Sequence, residues 1–404
     1  MLSVKEAKEL LFGQIHSMSS LSVKVTDALG YVLAEDVFAP FDMPSFDQSA
    51  MDGYAIHIDE ILENEQIISL PVVAEIKAGD KPFRYLEKNT AIRIFTGAAV
   101  PENTTCIVIQ EKTERKRGRI LFSTSVVKEN AHIRRQGSQT RMGDLALSAG
   151  TLLNPAGIGW LCSLGFTTVT VIAKPEVSVL ATGNELKKPG SVLSAGQIYE
   201  SNSYTLKAAL DQSNFKTVSV KSVPDQHKKT YDSIRKMLSL SDVVIISGGI
   251  SVGKYDLVKD TLTALGVEQV FYKVAQKPGK PMFVGKYTGG IADAKTRWVF
   301  ALPGNPAASL VCFYEYVLPV LKKLSGSNDI ELRTAWLPLA DSLAVKGDRD
   351  LFLRAKVAGG LVHINEGQES NMMHSFAGAN AIVFLPIQTA PLDKGTLVET
   401  HFIP

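Results

Sequence analysis

The chain has 404 residues, more than a single core usually organises, so several domains are expected. With 45% hydrophobic and 21% charged residues it has an ordinary globular composition, and a formal charge of +2 excludes a global basic footprint for nucleic acid or a membrane surface. Cys106, Cys162 and Cys312 lie far apart in apolar stretches, which argues for reduced core thiols and against a disulfide frame or a Cys-based metal site. The opening MLSVKEAKELLFGQI lacks the long apolar core of a signal peptide and no run reaches bilayer-spanning length, so a cytoplasmic protein is expected.

In chain order, apolar spacing predicts a helix over Val4 to Ile15, and VTDALGYVLAEDVFAP (25 to 40) has β-like alternation ending at Pro40. FDMPSFDQSAMDGYAIH (41 to 57) is loop-like and acidic, with Asp42, Asp47 and Asp52 among serines, and closes on Gly53-Tyr54; taken alone it reads equally well as a linker. From Leu70 to Val127 short segments rich in β-formers, including CIVIQEKT and RILFSTSVV, predict a small all-β unit, with the basic run EKTERKRGR (111 to 119) as a solvated hairpin tip. Thr96-Gly97 closes one of these strands. The helix beginning near Asn154-Pro155 is too short for its own core, which implies that the chain returns there to its first domain.

From Lys174 strands and helices alternate, the mark of a doubly wound unit. Helices are predicted over 202 to 213, capped by Asn202 or Ser203, over 227 to 239 and over 257 to 265, with a strand over 267 to 274. After the SGSNDI linker, FLRAKVA, LVHINE, AIVFLPI and TLVETHFI predict a small β-barrel.

Three apolar strands in the doubly wound region end in polar, glycine-rich turns. VVIISGGIS breaks at Gly248 and Gly249, VSVLATGNEL ends in Gly183, Asn184 and Glu185, and WVFALPGNP ends in Pro303, Gly304 and Asn305, with Pro306 opening a helix. Adjacent glycines let the backbone approach a ligand, and Ser251 with the following helix would offer donors to an anion. If the strands are parallel, their carboxyl ends form the crevice where open α/β sheets bind ligands. The turn KPGKP (277 to 281) holds Lys277 and Lys280 between prolines, which suits anion binding as well as plain solvation. Asp52, Glu185, Asp225 and Asp256 each sit near a glycine, a proline or a strand end; converging beside phosphates they would suit Mg²⁺, whereas the lack of HExxH argues against zinc.

Together, SAMDGYA (49 to 55), FTGAAVP (95 to 101), ATGNEL (181 to 186), SGGISVGKYD (247 to 256), KPGKP and LPGNP resemble the molybdopterin molybdenumtransferases, the family of bacterial MoeA and the gephyrin E domain, along essentially the whole chain and in the same order. The resemblance implies a multidomain α/β plus β fold: a discontinuous domain I (1–44 and 134–172), an inserted β-rich domain II (45–133), an αβ molybdopterin-binding domain III (173–325) and a β-barrel domain IV (326–404). It implies a homodimer whose cleft lies between domain III of one subunit and domain II of its mate. It further implies transfer of molybdenum from molybdate to adenylylated molybdopterin with Mg²⁺ and release of AMP, and molybdopterin adenylyltransferase and molybdoenzymes as partners.

By the same resemblance Asp52, Thr96, Glu185, Asp225 and Asp256 surround the reacting groups, with Asp52 and Glu185 on the metal. Gly248, Gly249, Ser251, Lys277, Lys280, Pro303, Gly304 and Asn305 would hold the substrates, and Arg354 and Ser375 match more loosely. Gln139 and Asn184 stand where the family pattern has acidic residues, and Ala308 where many members have serine. These departures keep a rival in play, a pterin-binding carrier or scaffold of the same family with weak or no catalysis.

Overall fold

The structure is a computed structural model that describes residues 1–58, 66–250, 256–289, 295–345, 347–387 and 390–404. Its centre is a six-stranded sheet in which Val177–Thr182, Val243–Ser247 and Thr296–Leu302 run parallel side by side. Val177–Thr182 and Val243–Ser247 are buried at every residue, because helices cover both faces and no alternation is needed. On one face Leu206, Ala209 and Leu210 of the helix Asn202–Gln212 pack with Val179, Ile245 and Phe300. On the other, Ile234, Met237 and Leu238 of the helix His227–Leu240 meet Leu180, Val244 and Ile246. Thr217–Val223 adds a parallel edge, while Phe283–Thr288 and Glu268–Tyr272 extend the sheet beyond Thr296–Leu302.

The chain leaves one small unit and comes back to it. Ser20–Lys24 pairs antiparallel with Thr168–Ile172, and Val37–Phe38 with Leu145–Leu147. The returning helix Pro155–Ser163 is capped by Asn154, whose side chain accepts from the Gly157 amide at 2.8 Å. Two local expectations fail here. Residues 25–40 do not form a strand: Val25–Asp27 is a 3₁₀ turn and only Val37–Phe38 is extended. The apparent alternation comes from turns wrapped over the core, with Gly30 and Leu33 amides donating to Leu153 and Thr151 carbonyls at 2.8 and 3.0 Å. The opening helix stops at Phe12, ahead of Gly13, and buries Val4, Ala7 and Leu11 in the central domain's core.

Inserted in this unit is a second six-stranded sheet, ordered Cys106–Ile109, Gly53–His57, Thr90–Ile94, Ile67–Ile76, Arg119–Ser123 and Glu114–Lys116, largely antiparallel. At the carboxyl end of the chain, Arg333–Pro338, Leu397–Phe402, Ala381–Leu385, Asp350–Ala358 and Leu361–Ile364 pair in succession. A bridge between Leu339 and Val362 closes them into the expected barrel. Gln276–Lys277 pairs with Asp350–Ala358, so the lysine turn is stitched to the barrel. Among the described residues no helix is long and apolar enough to cross a membrane.

Candidate active site

The carboxyl ends of the three parallel strands open into one cavity of about 530 Å³. Glu185, Asp225, Gly248, Gly249, Gly304 and Asn305 all line it, and Pro303 does so too. Three turns far apart in sequence therefore meet, as the strand pattern required. The two glycines are dictated by geometry: φ is +91° at Gly248 and +68° at Gly249, and a Cβ would lie 2.4 Å from the Thr182 carbonyl oxygen or from Val258 Cγ2 respectively. Ser251 lies outside the described residues.

Asn202, expected as a cap, does something else. It is the first helical residue after Ser201, and its Nδ2 donates to Ser247 Oγ and to the Gly304 carbonyl, both at 2.7 Å. One amide thus ties two of the three turns together. Asn305 occupies the cap position of the helix Pro306–Cys312, but its side chain donates to Ser370 Oγ at 2.7 Å instead of capping. Ser370 belongs to a barrel loop, and its carbonyl accepts from the Ala307 and Ala308 amides at 3.1 and 3.3 Å. Its neighbour Asn371 lines the cavity.

Among the described residues that line the cavity none is a lysine or an arginine. The Asp225 carboxyl is pushed above its usual range, first by burial and then by the negative charge of Glu185, although the nearby Thr182 side chain and the backbone at Asn184 pull the other way. Asn184 Oδ1 accepts from the Asp225 amide at 3.1 Å, so a residue where a carboxylate was expected is used to hold the next turn. A carboxyl whose charging is opposed by burial and by a neighbouring carboxylate offers hard oxygen donors of the kind a divalent cation takes.

Next to the cavity lies a smaller hollow of about 230 Å³, where Lys277, Lys280, Asn305, Ala308, Arg349 and Ser370 converge. The lysine turn is fixed from beneath: buried Gln276 donates to the Pro278 carbonyl at 3.0 Å and accepts from the Tyr316 hydroxyl. A Cβ on Gly279, where φ is +94°, would lie 2.6 Å from Cys312 Sγ. Arg354 and Ser375 touch neither space. Arg354 is fully buried, with its guanidinium pushed down to about 10 by that burial, and donates to Ser375 Oγ and to the Gly367 and Glu369 carbonyls at 3.0, 2.8 and 3.1 Å. It shapes the loop that carries Ser370 and Asn371.

Three expected residues lie apart from this cavity. Asp52 sits beside the inserted sheet, where its Oδ1 accepts from the Thr96 amide and hydroxyl, both at 2.8 Å. Those bonds hold its carboxyl below the usual range. Asp256 is buried, caps the helix Leu257–Ala264 through the Lys259 amide at 3.0 Å and accepts from the Tyr272 hydroxyl at 2.9 Å. Among the described residues no three His, Cys, Asp or Glu side chains cluster as a metal site, and Asp52 is absent from the lining of the cavity that holds Glu185. Arg349, Ser370 and Asn371 were not singled out from sequence, and Asn202 only as a helix cap; the polar run EGQESN (366–371) is the one local signal that could have pointed to Ser370 and Asn371.

The αβ domain that carries these turns places the protein in the molybdopterin-binding class: residues 178–323 match the family model described as "Probable molybdopterin binding domain". Residues 2–165 match "MoeA N-terminal region (domain I and II)" and residues 337–403 match "MoeA C-terminal region (domain IV)". The molybdopterin molybdenumtransferase of Haemophilus influenzae is 32% identical, with 98% of both chains covered. That of Nostoc sp. is 33% identical, covering 100% of this chain and 94% of its own. A crystal structure of the molybdopterin biosynthesis MoeA protein of Pyrococcus horikoshii superposes with a TM-score of 0.81 at 28% identity, over 100% of this chain and 99% of that one. The chain belongs to the molybdopterin molybdenumtransferase family, a family of transferases acting in molybdenum cofactor biosynthesis.

Proposed function

We propose that the chain transfers molybdenum from molybdate to the dithiolene of adenylylated molybdopterin, with Mg²⁺ and release of AMP, as the last common step of molybdenum cofactor synthesis. The observation that carries this reading is the meeting of an acidic cavity and a basic hollow at the ends of three parallel strands, sharing Pro303 and Asn305 in their walls. A pyrophosphate joined to a pterin needs both. Gly248 and Gly249 bring backbone close to the phosphates, while Lys277, Lys280 and Arg349 offset charge on molybdate. Glu185 and Asp225 fit Mg²⁺, because both line the cavity, Glu185 opposes the charging of Asp225, and no lysine or arginine is among the described residues of its lining. When bound, Mg²⁺ would neutralise charge developing on the phosphates. Asp225 and Glu185 also accept hydrogen bonds and can order a water toward the pyrophosphate.

Asp52 and Thr96 enter this scheme through a second copy of the chain, whose inserted domain would face the cavity in a homodimer. The setting would be the cytoplasm, with molybdopterin adenylyltransferase upstream and molybdoenzymes downstream. The carrier alternative rested partly on Ala308 replacing a hydroxyl. Ser370 brings a hydroxyl into the same hollow, which favours the enzyme. The test is AMP release from adenylylated molybdopterin with and without molybdate. Release that requires molybdate supports transfer; tight binding without release supports the carrier, and release indifferent to molybdate overturns both.

A further inference from the structure

The helical element that begins at the cavity with Pro306 runs on to Leu324 and contains a π-helical turn, Phe313–Val317. In the middle of that turn sits Glu315, whose side chain is only 2% exposed. A carboxylate so deeply buried needs partners, and it has two from different parts of the chain. Lys8 of the opening helix donates to Oε2 at 2.8 Å, and His401 of the barrel strand Leu397–Phe402 faces Oε1 through Nδ1 at 2.7 Å. Lys8 also reaches Glu331 at 3.1 Å, and His401 Nε2 faces Glu399 Oε1 at 3.2 Å. Lys5 and Glu9 line the same small cavity from the opening helix, and Phe384 stacks on the imidazole with ring centres 6.1 Å apart.

Both nitrogens of His401 thus face carboxylate oxygens. A neutral ring carries one N–H and satisfies one of them, leaving a lone pair against the other; the imidazolium donates to both. Burial and the Lys8 charge oppose protonation, yet the hydrogen bond and charge of Glu315, with the bond to Glu399, leave the His401 pKa above its ordinary value. Burial likewise works against the Glu315 charge, and Lys8 and His401 together hold its pKa below the usual range.

The barrel packs Phe352, Phe376 and Ile382 into the core it shares with this helical element, and polar contacts from Ser370 and His401 add to that grip. Ser370 meets its first turn at Asn305, Ala307 and Ala308, and His401 meets Glu315 about 15 Å further along, at the usual rise per residue. We propose that His401 is a positioning residue, a proton-operated latch whose imidazolium bridge between Glu315 and Glu399 holds the barrel, and with it the Ser370–Asn371 wall, against the substrate cavity. The functional consequence rests on the reading given under Proposed function; the latch itself does not. A group whose folded pKa is raised contributes fully below its unfolded value and loses that contribution as pH rises through the folded one. Barrel docking is therefore firm in mild acid and loosens in mild base.

The test is hydrogen exchange on the full-length protein at about pH 6 and about pH 9, read as protection factors so that intrinsic rates cancel. In the wild type, residues 365–373 and 397–402 should lose about tenfold protection at the higher pH, the scale of one charge-assisted hydrogen bond. His401→Gln should show the lower protection at both. Should that variant not fold, Glu399→Gln, which removes the second carboxylate facing the ring, should shrink the pH response. Equal wild-type protection at the two pH values, or an undiminished response in either variant, overturns the latch. In the molybdate-dependent assay the wild-type KM should rise with pH while kcat stays level, and His401→Gln should abolish that rise. Protection that responds to pH without molybdate-dependent AMP release refutes the function alone; flat protection with such release refutes the latch alone.

Discussion

The two six-stranded sheets hold their carboxylates in opposite ways. In the inserted sheet, Asp52 is satisfied by the amide and hydroxyl of Thr96, and its pKa falls. In the central sheet, Asp225 is partly desolvated beside Glu185, and its pKa rises. The first is a charge the fold favours, and the second is a carboxyl whose charging the fold opposes. Sites that bind cations or polyphosphates are built in the second way, at some expense to stability.

Replacing either member of the unrelieved pair tests this contrast with the largest effect. Glu185→Gln or Asp225→Asn should lower molybdate-dependent AMP release by about a hundredfold or more, the range seen when a preorganised electrostatic group is removed. Asp225→Asn should at the same time raise the melting temperature of the ligand-free protein at neutral pH. An acid with a raised folded pKa favours the fold below that value and ceases to do so as pH rises through it, so the neutral amide removes a liability. A variant that loses activity and stability together would break the comparison.

The glycine cradle should respond through the fold. Gly248→Ala places a Cβ against the Thr182 carbonyl at positive φ and should destabilise by about 1–3 kcal/mol in denaturant titrations. In the inserted sheet the effect should be milder. Thr96→Val removes the hydroxyl donor and keeps the amide, so the Asp52 pKa should move back toward its ordinary value, measurable by carboxyl NMR titration. Whatever the charged Asp52 adds to stability is present above its ordinary pKa and lost as pH falls through the depressed one. Smallest of all, Gln139→Asp should leave turnover unchanged or slightly higher, because Gln139 is exposed and its amide, donating to the Met43 carbonyl at 2.9 Å, is unaffected by the side chain. A sharp fall in activity would contradict that placement.

The legible parts of the molecule are those where local and long-range demands coincide. Runs such as VVIIS and VSVLAT are apolar at consecutive positions because they are covered on both faces, and the glycines that follow mark where the backbone turns toward a ligand. Ser20–Lys24 was not legible: its residues are largely exposed, and its partner, Thr168–Ile172, lies far along the chain. Asn202 reads as a helix cap by position, yet tertiary contacts with Ser247 and Gly304 take its amide. Ser370 and Asn371 sit on a loop that buried Arg354 gathers through Gly367, Glu369 and Ser375, contacts no local pattern announces.

The central claim is that the acidic cavity and the basic hollow form one site at the strand ends. A crystal structure with AMP and molybdate soaked in tests it most directly. The account predicts the AMP phosphate against Gly248 and Gly249 and molybdate among Lys277, Lys280 and Arg349. Both ligands bound on other surfaces, with these turns bare, would contradict it.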